Sequence, residues 1–267
     1  MTSNPAITVI TPNWNGERFL ERTLESIREQ RNRGVALEYI VVDGGSTDRS
    51  REILAAYRDA IDVLIVEPDQ GPASAINKGL RRANGDVVAW LNADDVYAPD
   101  ALTRVVAACA AFPERALGFG RCRIIDEEDR EIRRGITRFK EAFFPFSSRF
   151  TIQCINYISQ PAMFFRREAM LRVGGLREDL KAAWDYEYIL RLWRCGGGFV
   201  IPGPPLADFR WHAASISGTH FRRQFREEYE AAVADAGRFS PQALIHLGVR
   251  WGIVGAYSLM ARKSTRH

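Results

Sequence analysis

Two adjacent carboxylates, Asp94 and Asp95, follow an apolar stretch in the segment VAWLNADDVYAPD, which runs from Val88 to Asp100. Neighbouring carboxylates repel each other unless a cation or the N-terminus of a helix compensates their charge. Mg²⁺ and Mn²⁺ prefer oxygen ligands and commonly share them with substrate phosphates. One carboxylate could therefore bind a divalent cation while its neighbour accepts a hydrogen bond from a sugar hydroxyl. The alternative, in which the pair caps the following helix, stays open from the local sequence.

Two further acidic sites have the position that chemistry would need. Asp43 ends the apolar segment LEYIVVD, where its carboxylate can accept a hydrogen bond from the N–H of a nucleotide base or close an Asx turn over the Gly-Gly-Ser that follows. Asp185 and Glu187 start a helical segment and project to different faces. A carboxylate there can act as a general base toward a sugar hydroxyl, or it can simply be a solvated helix start.

One histidine, His212, follows the extended segment LADFRWH. A lone histidine after a strand is more often a packed or surface residue than a metal ligand. The sequence contains no P-loop, no G-x-G-x-x-G and no Ser-His-Asp motif, so those chemistries have no positive support.

The first half of the chain alternates apolar strands with amphipathic helices. The strand segments are ITVIT, LEYIVVD, IDVLIVE and DVVAWLN. In the first helical segment Leu20, Leu24 and Ile27 share one face, and Ser46 or Thr47 is a candidate cap for the second helix. Apolar strands that are each separated by one helix predict an α/β fold with a mostly parallel sheet and helices on both faces. Ligands bind at the carboxyl ends of such strands, so the polar residues there should converge on one crevice.

The second half is less regular. LGFGRCRIID and REIRRGITRF predict two strands joined by an acidic turn, SQPAMFFRR predicts another strand, and WDYEYILRLWRC predicts a helix. After Thr219 the sequence predicts two helices separated around Gly237 to Pro241. No repeat or linker is evident, so we expect one compact domain with a helical tail.

Composition restricts the class of protein only weakly. Hydrophobic residues make up 46% and charged residues 26% of the 267 positions, which is ordinary for a globular protein. The net charge of +4 allows an anionic partner without requiring one, and we expect no nucleic-acid partner. Four cysteines without a C-x-x-C pair argue against zinc ribbons and indicate free thiols in a reducing compartment. The N-terminal segment does not have the pattern of a signal peptide, so we expect a cytoplasmic location.

Taken together and in order, these segments resemble the family 2 glycosyltransferases with the GT-A fold. The similarity runs from about Ile7 to about Ser217 and includes ITVITPNWNGERFLERTLESI, YIVVDGGSTDRS, EPDQGPASAINKG, GDVVAWLNADDVYAPDAL, QPAMFFRR and WDYEYILRL. The resemblance implies transfer of a sugar from a nucleotide-diphosphate donor to an acceptor hydroxyl with inversion, assisted by Mn²⁺ or Mg²⁺. It also implies a GT-A domain over residues 1–218, with a nucleotide-binding half of about 1–98 and an acceptor half of about 99–218, followed by a helical extension over 219–267.

The resemblance gives each candidate residue a role. Asp185 matches the catalytic base, Asp95 the metal ligand, and His212 a histidine that completes the metal site in some members. Asp43 matches the contact to the base, and Asp94 would lie nearer the ribose. The implied nucleotide-binding set is Thr11, Pro12, Asn13, Asn15, Asp43, Asp69, Asn92 and Asp94.

The chain departs from the family pattern at two places. Asn92 stands where many members have aspartate, which should weaken metal binding without abolishing it. The segment LGVRW lacks the glutamine of the Q-x-x-R-W motif found in processive members. We therefore expect addition of a single sugar. A carboxylate that reads an imide N–H favours a UDP-sugar, although a GDP-sugar stays open.

The C-terminal segment has two interpretations. Residues 243–260 are largely apolar but contain His246 and Arg250, and they are too few to span a membrane. With the basic residues Arg222, Arg223, Arg226, Arg262, Lys263 and Arg266, the segment could lie on an anionic inner leaflet and meet a lipid-linked or other glycan acceptor. The favoured alternative packs this helix on the domain and buries Trp251, Val254 and Leu259.

Two rival functions remain at this point. A sugar-1-phosphate nucleotidyltransferase would also use an α/β nucleotide-binding sheet and a metal, but it would normally show a glycine-rich phosphate loop with a basic residue near the N-terminus. TPNWNGER is a poor version of that loop. The second rival is a catalytically silent nucleotide-sugar-binding protein with the same fold.

Overall fold

The computed structural model describes residues 6–213, 215 and 221–264. The first half contains alternating strands and helices: β1 (Ile7–Asn13), α1 (Leu20–Asn32), β2 (Leu37–Asp43), α2 (Ser50–Ala56), β3 (Val63–Val66), α3 (Pro72–Leu80) and β4 (Val87–Trp90). The second half contains β5 (Val96–Tyr97), α4 (Ala101–Ala111), β6 (Leu117–Phe119), β7 (Cys122–Ile125), β8 (Glu131–Ile132), α5 (Arg134–Glu141), α6 (Arg149–Cys154), β9 (Met163–Arg166), α7 (Arg167–Val173), α8 (Trp184–Gly196), β10 (Gly198–Val200), β11 (Ala207–Arg210), α9 (Phe221–Ala236) and α10 (Pro241–Ser264).

The central sheet has seven strands in the order β10-β6-β9-β4-β1-β2-β3. Only β9 among them runs antiparallel to its neighbours, β4 and β6. The mostly parallel α/β sheet expected from the sequence is thus confirmed.

Side chains that alternate along the strands form an apolar layer on each face of this sheet. Val9 packs in the cluster that contains Leu20, Leu24 and Ile27 of α1, all fully buried. Its neighbour Ile10 packs in the cluster on the other face, with residues of α3 and α8. Both faces are therefore covered, which explains why the strands are apolar throughout.

A second, smaller sheet was not expected from the sequence. Its order is β5-β11-β7-β8, and β5 pairs antiparallel with β11. Because β4 belongs to the central sheet and β5 to the small sheet, the loop between them crosses from one sheet to the other. That loop contains the adjacent acids Asp94 and Asp95, so the fold fixes both of its ends.

Two local expectations were wrong. The segment GITRF lies in helix α5 and not in a strand, because Arg133 has φ 53 and turns the chain away after β8 has paired with β7. Neither Ser46 nor Thr47 caps α2. Instead, Asp48 accepts a hydrogen bond from the main-chain N–H of Ser50 at 2.9 Å. The four cysteines are free, as expected.

The C-terminal helices pack on the domain. Helix α9 contacts α8 and α6, while α10 contacts α9 and α6. The burial of Trp251 expected from the sequence is wrong, since its side chain is 69% exposed. Ala243 and His246 face inward, and Trp251 is five residues beyond His246, which turns it well away from that face.

Part of the tail lies outside this description. The side chains of Val254, Leu259, Arg262, Lys263 and Arg266 are outside the described residues, and so is the expected 218/219 boundary. Within the described part of the chain, no helix has both the length and the apolar character that a membrane crossing requires.

Candidate active site

A large cleft with a volume of about 1160 Å³ opens at the carboxyl ends of β1, β2 and β4. Its wall combines strand-end loops with side chains from α5, α8, α9 and α10. Among the site residues expected from the sequence, those that line the cleft are Pro12, Asn13, Asn15, Asp69, Asn92, Asp94, Asp185 and His212. The structure thus brings together residues separated by some two hundred positions. Thr11, Asp43 and Asp95 do not line the cleft.

Asp43 is enclosed by its own turn. Its carboxylate is fully buried and accepts hydrogen bonds from Asn13 Nδ2 at 2.7 Å, Ser46 Oγ at 2.5 Å and Ser46 N at 3.0 Å. Gly45 N donates a further bond at 3.2 Å. This is the turn-closing alternative considered for the sequence, and it leaves Asp43 no cleft-facing oxygen. Thr11 is buried in the same way, and its hydroxyl accepts a hydrogen bond from the Tyr39 hydroxyl at 2.9 Å.

Asp69 presents a carboxylate to the cleft beside that turn. Its Oδ1 accepts a hydrogen bond from Gly71 N at 2.8 Å, and the residue is half-buried. A Cβ atom on Gly44 would lie 2.3 Å from Asp69 Oδ2, so a larger residue at that position would displace the Asp69 carboxylate. Asn13, which also lines the cleft, has a buried Oδ1 without a hydrogen-bond partner among the described residues. An acid and an unpaired amide oxygen therefore line the same cleft.

The two adjacent acids have different surroundings. Asp95 is fully buried, and its oxygens accept hydrogen bonds from Arg210 N at 2.9 Å and Asn92 Nδ2 at 3.1 Å. Burial, and then the charge of Asp94, raise the pKa of the Asp95 carboxyl well above its usual range. Asp95 therefore joins the loop to β11. The sequence-based assignment of the metal to Asp95 stays a prediction, although Asp95 does not line the cleft and each of its oxygens accepts a hydrogen bond from the protein.

Asp94 faces the cleft together with His212. The distance from Asp94 Oδ2 to His212 Nε2 is 3.0 Å, and both residues are half-buried. Arg210 Nε donates to the main-chain oxygen of Asp94 at 2.9 Å, and the Phe19 ring lies 5.2 Å from the His212 ring. The acid and the imidazole are thus held in place by buried neighbours while their functional atoms stay accessible.

This pair fits a divalent cation that is shared with a substrate. A carboxylate oxygen and an imidazole nitrogen both suit Mn²⁺, and Mg²⁺ is commonly held by one or two carboxylates plus phosphate oxygens. Within the described residues no group of three or more His, Cys, Asp or Glu side chains could hold a metal by itself. The protein would supply two ligands and leave the remaining positions to a diphosphate and water.

Asn92 forms hydrogen bonds that an aspartate at this position could not form. Its Nδ2 donates to Asp95 Oδ2 at 3.1 Å and to Gln160 Oε1 at 3.0 Å. Gln160 in turn donates to the main-chain oxygen of Trp90 at 2.7 Å. An aspartate at position 92 could make neither donation and would add a third carboxylate beside Asp95. Nothing in the sequence pattern pointed to Gln160.

Asp185 lies in the first turn of α8 and lines the part of the cleft that helices, and not strand-end loops, contribute. Tyr186 N donates to its Oδ1 at 2.8 Å. Burial raises the pKa of the Asp185 carboxyl above its ordinary value, although the Tyr186 N–H and the charge of Lys140 oppose the rise. Glu187 faces elsewhere and forms an ion pair with Arg191 at 2.9 Å. Asp185 and Glu187 therefore face different directions, as their spacing in the helix predicts, and of the two only Asp185 lines the cleft.

Two buried acids of α9 lie in this region, although no sequence pattern singled them out, and of the two only Glu228 lines the cleft. Glu227 accepts hydrogen bonds from Ala182 N at 2.8 Å and Ala183 N at 3.1 Å, and so caps the helix that carries Asp185. Glu228 lines the cleft and is 4% exposed. Both lie in the charged helix FRRQFREEYEA, where an acid that faces inward looks the same as one that faces solvent.

Comparison with known proteins identifies the family and the fold. The model of the family "Glycosyl transferase family 2" matches residues 8–174. An uncharacterised glycosyltransferase of Mycobacterium tuberculosis is 34% identical over 194 residues, which are 72% of this chain and 70% of that protein. A putative teichuronic acid biosynthesis glycosyltransferase of Bacillus subtilis, TuaG, is 39% identical over 103 residues, 38% of this chain and 40% of that protein.

Two solved structures share the fold. S. aureus TarS 1-349 in complex with UDP-GlcNAc has a TM-score of 0.67 at 16% identity and covers 90% of this chain and 69% of that one. The mannosyltransferase PcManGT from Pyrobaculum calidifontis, in complex with GDP-Man and Mn²⁺, has a TM-score of 0.63 at 21% identity and covers 99% and 81%. The GT-A fold expected from the sequence is confirmed, and the chain belongs to glycosyl transferase family 2.

Proposed function

We propose that this chain is an inverting glycosyltransferase that moves one sugar, with a UDP-sugar favoured, to a hydroxyl of a glycan or lipid-linked acceptor in the synthesis of a surface polysaccharide. The observation that carries the proposal is that one cleft holds the Asp94–His212 pair and the partly buried Asp185. The biosynthetic role named for TuaG and the nucleotide sugars bound to TarS and PcManGT support this choice of pathway and donor class.

At the donor end, the nucleotide would lie against residues 12–16 and Gly44. Asp69 replaces Asp43 as the acid that accepts from the base, because its carboxylate faces the cleft while that of Asp43 is enclosed. Asn13 Oδ1 is a second acceptor without a protein partner. Both oxygens suit an N–H donor such as the imide of uracil.

Asp94 and His212 would hold Mn²⁺ or Mg²⁺ together with the diphosphate. When bound, the cation supplies Lewis-acid stabilisation of the negative charge on the departing nucleoside diphosphate. The chain's own contribution is to keep the two ligands oriented through Arg210 and Phe19.

At the acceptor end, Asp185 would take the proton of the acceptor hydroxyl. The hydroxyl oxygen forms a bond to C1 of the donor sugar, the bond from C1 to the diphosphate oxygen breaks, and the proton moves to the Asp185 carboxylate. Attack opposite the leaving group gives the inverted anomer in a single displacement. The raised pKa of Asp185 suits this role, since a stronger base accepts a hydroxyl proton more readily.

The place of action is part of the same proposal. We expect the enzyme to work in the cytoplasm, at the inner face of the membrane where a lipid-linked acceptor would be found. The exposed apolar side chains of α10, Leu244, Ile245 and Trp251, support peripheral contact with such a surface.

A thermal-shift screen of UDP, GDP, dTDP and CDP, each with and without Mn²⁺, tests the proposal. A ligand that binds only the folded protein raises its apparent stability by mass action, so one nucleotide should raise the melting temperature, and more strongly with Mn²⁺. The Asp100→Asn variant, with an exposed acid just beyond the site, should behave as the wild type. Absence of any nucleotide shift, or release of pyrophosphate from UTP and a sugar-1-phosphate, would contradict it, the latter in favour of a nucleotidyltransferase.

A further inference from the structure

We propose that Glu228, on the C-terminal helix α9, is an acceptor-binding residue: it accepts a hydrogen bond from a second hydroxyl of the acceptor while Asp185 takes the proton from the first. The acceptor group is accordingly a sugar ring with at least two hydroxyls within reach of the cleft, and not an isolated alcohol. This inference rests on the proposed function and extends it to residues beyond the part of the chain that the family model matches.

The Glu228 carboxylate is largely buried and only partly hydrogen-bonded. It is 4% exposed, yet only its Oε1 has partners in the described part of the chain: Gln224 Nε2 at 3.1 Å and Asn156 Nδ2 at 3.3 Å. Within the same part, Oε2 accepts no hydrogen bond, and Asn156 Oδ1, in the same cleft, is buried without a partner. A buried amide oxygen without a donor is costly unless a ligand or water supplies one, and the free carboxylate oxygen of the neighbouring Glu228 can accept a second bond from the same ligand.

Glu228 shares its cleft with the proposed base. Glu228, Asn156 and Asp185 line the same cleft, and the charge of Asp185 is felt at Glu228 strongly enough to help burial raise the pKa of Glu228 to about 7. Lys140 lines this end too, and its charge acts on both carboxyls in the opposite direction. Burial lowers the pKa of Lys140, whose Nζ contacts Ser159 Oγ at 3.3 Å. These polar groups therefore face a common space.

The space between these groups also has apolar walls. Apolar side chains complete the wall around the three ionisable groups, among them Ile155 and Trp184 from the catalytic domain and Val249 from α10. A sugar ring presents hydroxyls at its edge and C–H groups on its faces, so it matches a pocket with converging polar groups and apolar walls. A hydroxyl that donates to a carboxylate forms a charge-assisted bond, which is stronger than a neutral one.

The Glu228→Gln variant tests the inference with little change in shape. Glutamine Oε1 can keep both bonds from Gln224 and Asn156, while the free oxygen becomes an N–H₂ group that can no longer accept. Its matched control is Glu230→Gln, which removes an exposed acid two positions further along the same helix. Sugar transfer would be measured from UDP-glucose, UDP-GlcNAc and GDP-mannose to octyl glycosides of glucose, galactose, mannose and N-acetylglucosamine, with 1-octanol as the single-hydroxyl acceptor.

We expect Glu228→Gln to raise the KM for the glycoside at least about tenfold, because a hydrogen bond to a charged group is lost. The donor KM should stay within about twofold, since the donor end is untouched. Glu230→Gln should change none of these values.

The outcomes separate the two proposals. If the wild type transfers sugar and Glu228→Gln keeps its glycoside KM, the inference is wrong while the proposed function stands. Equal efficiency with 1-octanol and with the glycosides, or donor hydrolysis without saturable transfer to any glycoside, would also overturn it. If the wild type neither transfers nor hydrolyses any donor, the proposed function itself fails.

Discussion

The two ends of the cleft are built in opposite ways. At the donor end, polar side chains largely satisfy one another: Asp43 accepts four hydrogen bonds from its own turn and from Asn13, and Asp95 accepts two from Arg210 and Asn92. At the acceptor end, Asp185, Lys140 and Glu228 are ionisable groups with shifted pKa values and few partners. The hydrogen bonds at the donor end hold its side chains in fixed positions. At the acceptor end, burial keeps the ionisable side chains poorly solvated.

The difference has a physical origin in the elements that carry each end. Donor-end residues follow parallel strands, whose carboxyl ends are fixed by the sheet. Acceptor-end residues come from α5, α8 and α9, which meet only through tertiary packing. Asp95 at the donor end also has a raised pKa, but it does not line the cleft, whereas Asp185 and Glu228 have raised pKa values and do line it. Because perturbed pKa values in a cleft gather where function requires them, we expect the chemistry at the acceptor end and binding at the donor end.

The largest expected effect is on turnover. Asp185→Asn removes the base but keeps the size of the side chain, so kcat should fall by about 10²- to 10⁴-fold. The exposed Asp179→Asn, in the loop before the same helix, is its control and should keep the wild-type rate. Steady-state transfer assays measure both. Wild-type turnover by Asp185→Asn would show that Asp185 is not the catalytic base.

The pH profile sharpens the same point. A general base must be ionised, so kcat/KM should fall as pH drops through the raised pKa of Asp185. The acidic limb should therefore lie above the ordinary aspartate value of about 3.9. A limb at or below that value would show that a different group limits the rate.

Glu228→Gln should stabilise the fold at high pH. Burial, and then the neighbouring charge of Asp185, raise the pKa of Glu228 to about 7, so the folded protein holds this proton more tightly than the unfolded chain does. Stability from this group is present below about pH 4.5 and is lost as pH rises through 7. At pH 8 the variant should be more stable by up to about 3 kcal/mol, and at pH 4.5 the two should agree.

Urea unfolding at both pH values measures this difference. Lys140, Asn156 and Gln224 also face Glu228 and are unchanged in the variant, so they act on both proteins alike. Glu230→Gln should shift stability by less than about 0.5 kcal/mol. A Glu228→Gln protein that is less stable than the wild type at pH 8 would mean that the carboxylate has a partner that stabilises its charged form.

A smaller effect separates the two adjacent acids. Asp95→Ala leaves Arg210 N and the Asn92 amide without their acceptor, which should cost about 2 kcal/mol of unfolding free energy. Asp94→Ala should cost less than about 1 kcal/mol, because Asp94 is partly exposed and water can replace its hydrogen bond with His212. Urea unfolding of both variants checks the order. Equal costs would contradict the division into a structural and a functional carboxylate.

Much of this site could be predicted from the sequence, because strands and helices place side chains at regular intervals. Four apolar strands with intervening helices place Asn13, Asn92 and Asp94 at one sheet edge, and the helical spacing separates Asp185 from Glu187. The resemblance gave the metal to Asp95 and the ribose to Asp94, but which of the two faces the cleft depends on β11, which joins β5 from a distance of more than one hundred residues. The sequence likewise placed both Asp43 and Asp69 at the nucleotide, and only the fold shows that Asp69 lines the cleft while Asp43 is enclosed by its turn.

The role of the C-terminal helices was beyond the reach of sequence patterns. Glu227 and Glu228 are neighbours in one charged helix, yet Glu227 caps α8 and Glu228 faces the cleft. Which of two adjacent acids faces inward is set by how α9 packs on α8 and α6, and no local periodicity encodes that contact.

The division of the cleft into a binding end and a chemical end is tested most directly by calorimetric titration of UDP, with and without Mn²⁺, into the wild type, Asp94→Asn and Asp185→Asn. The account predicts that Asp185→Asn binds UDP and Mn²⁺ within about twofold of the wild type, while Asp94→Asn loses most of the Mn²⁺-dependent gain in affinity. Equal weakening by the two variants, or a Mn²⁺ effect that survives Asp94→Asn intact, would contradict it.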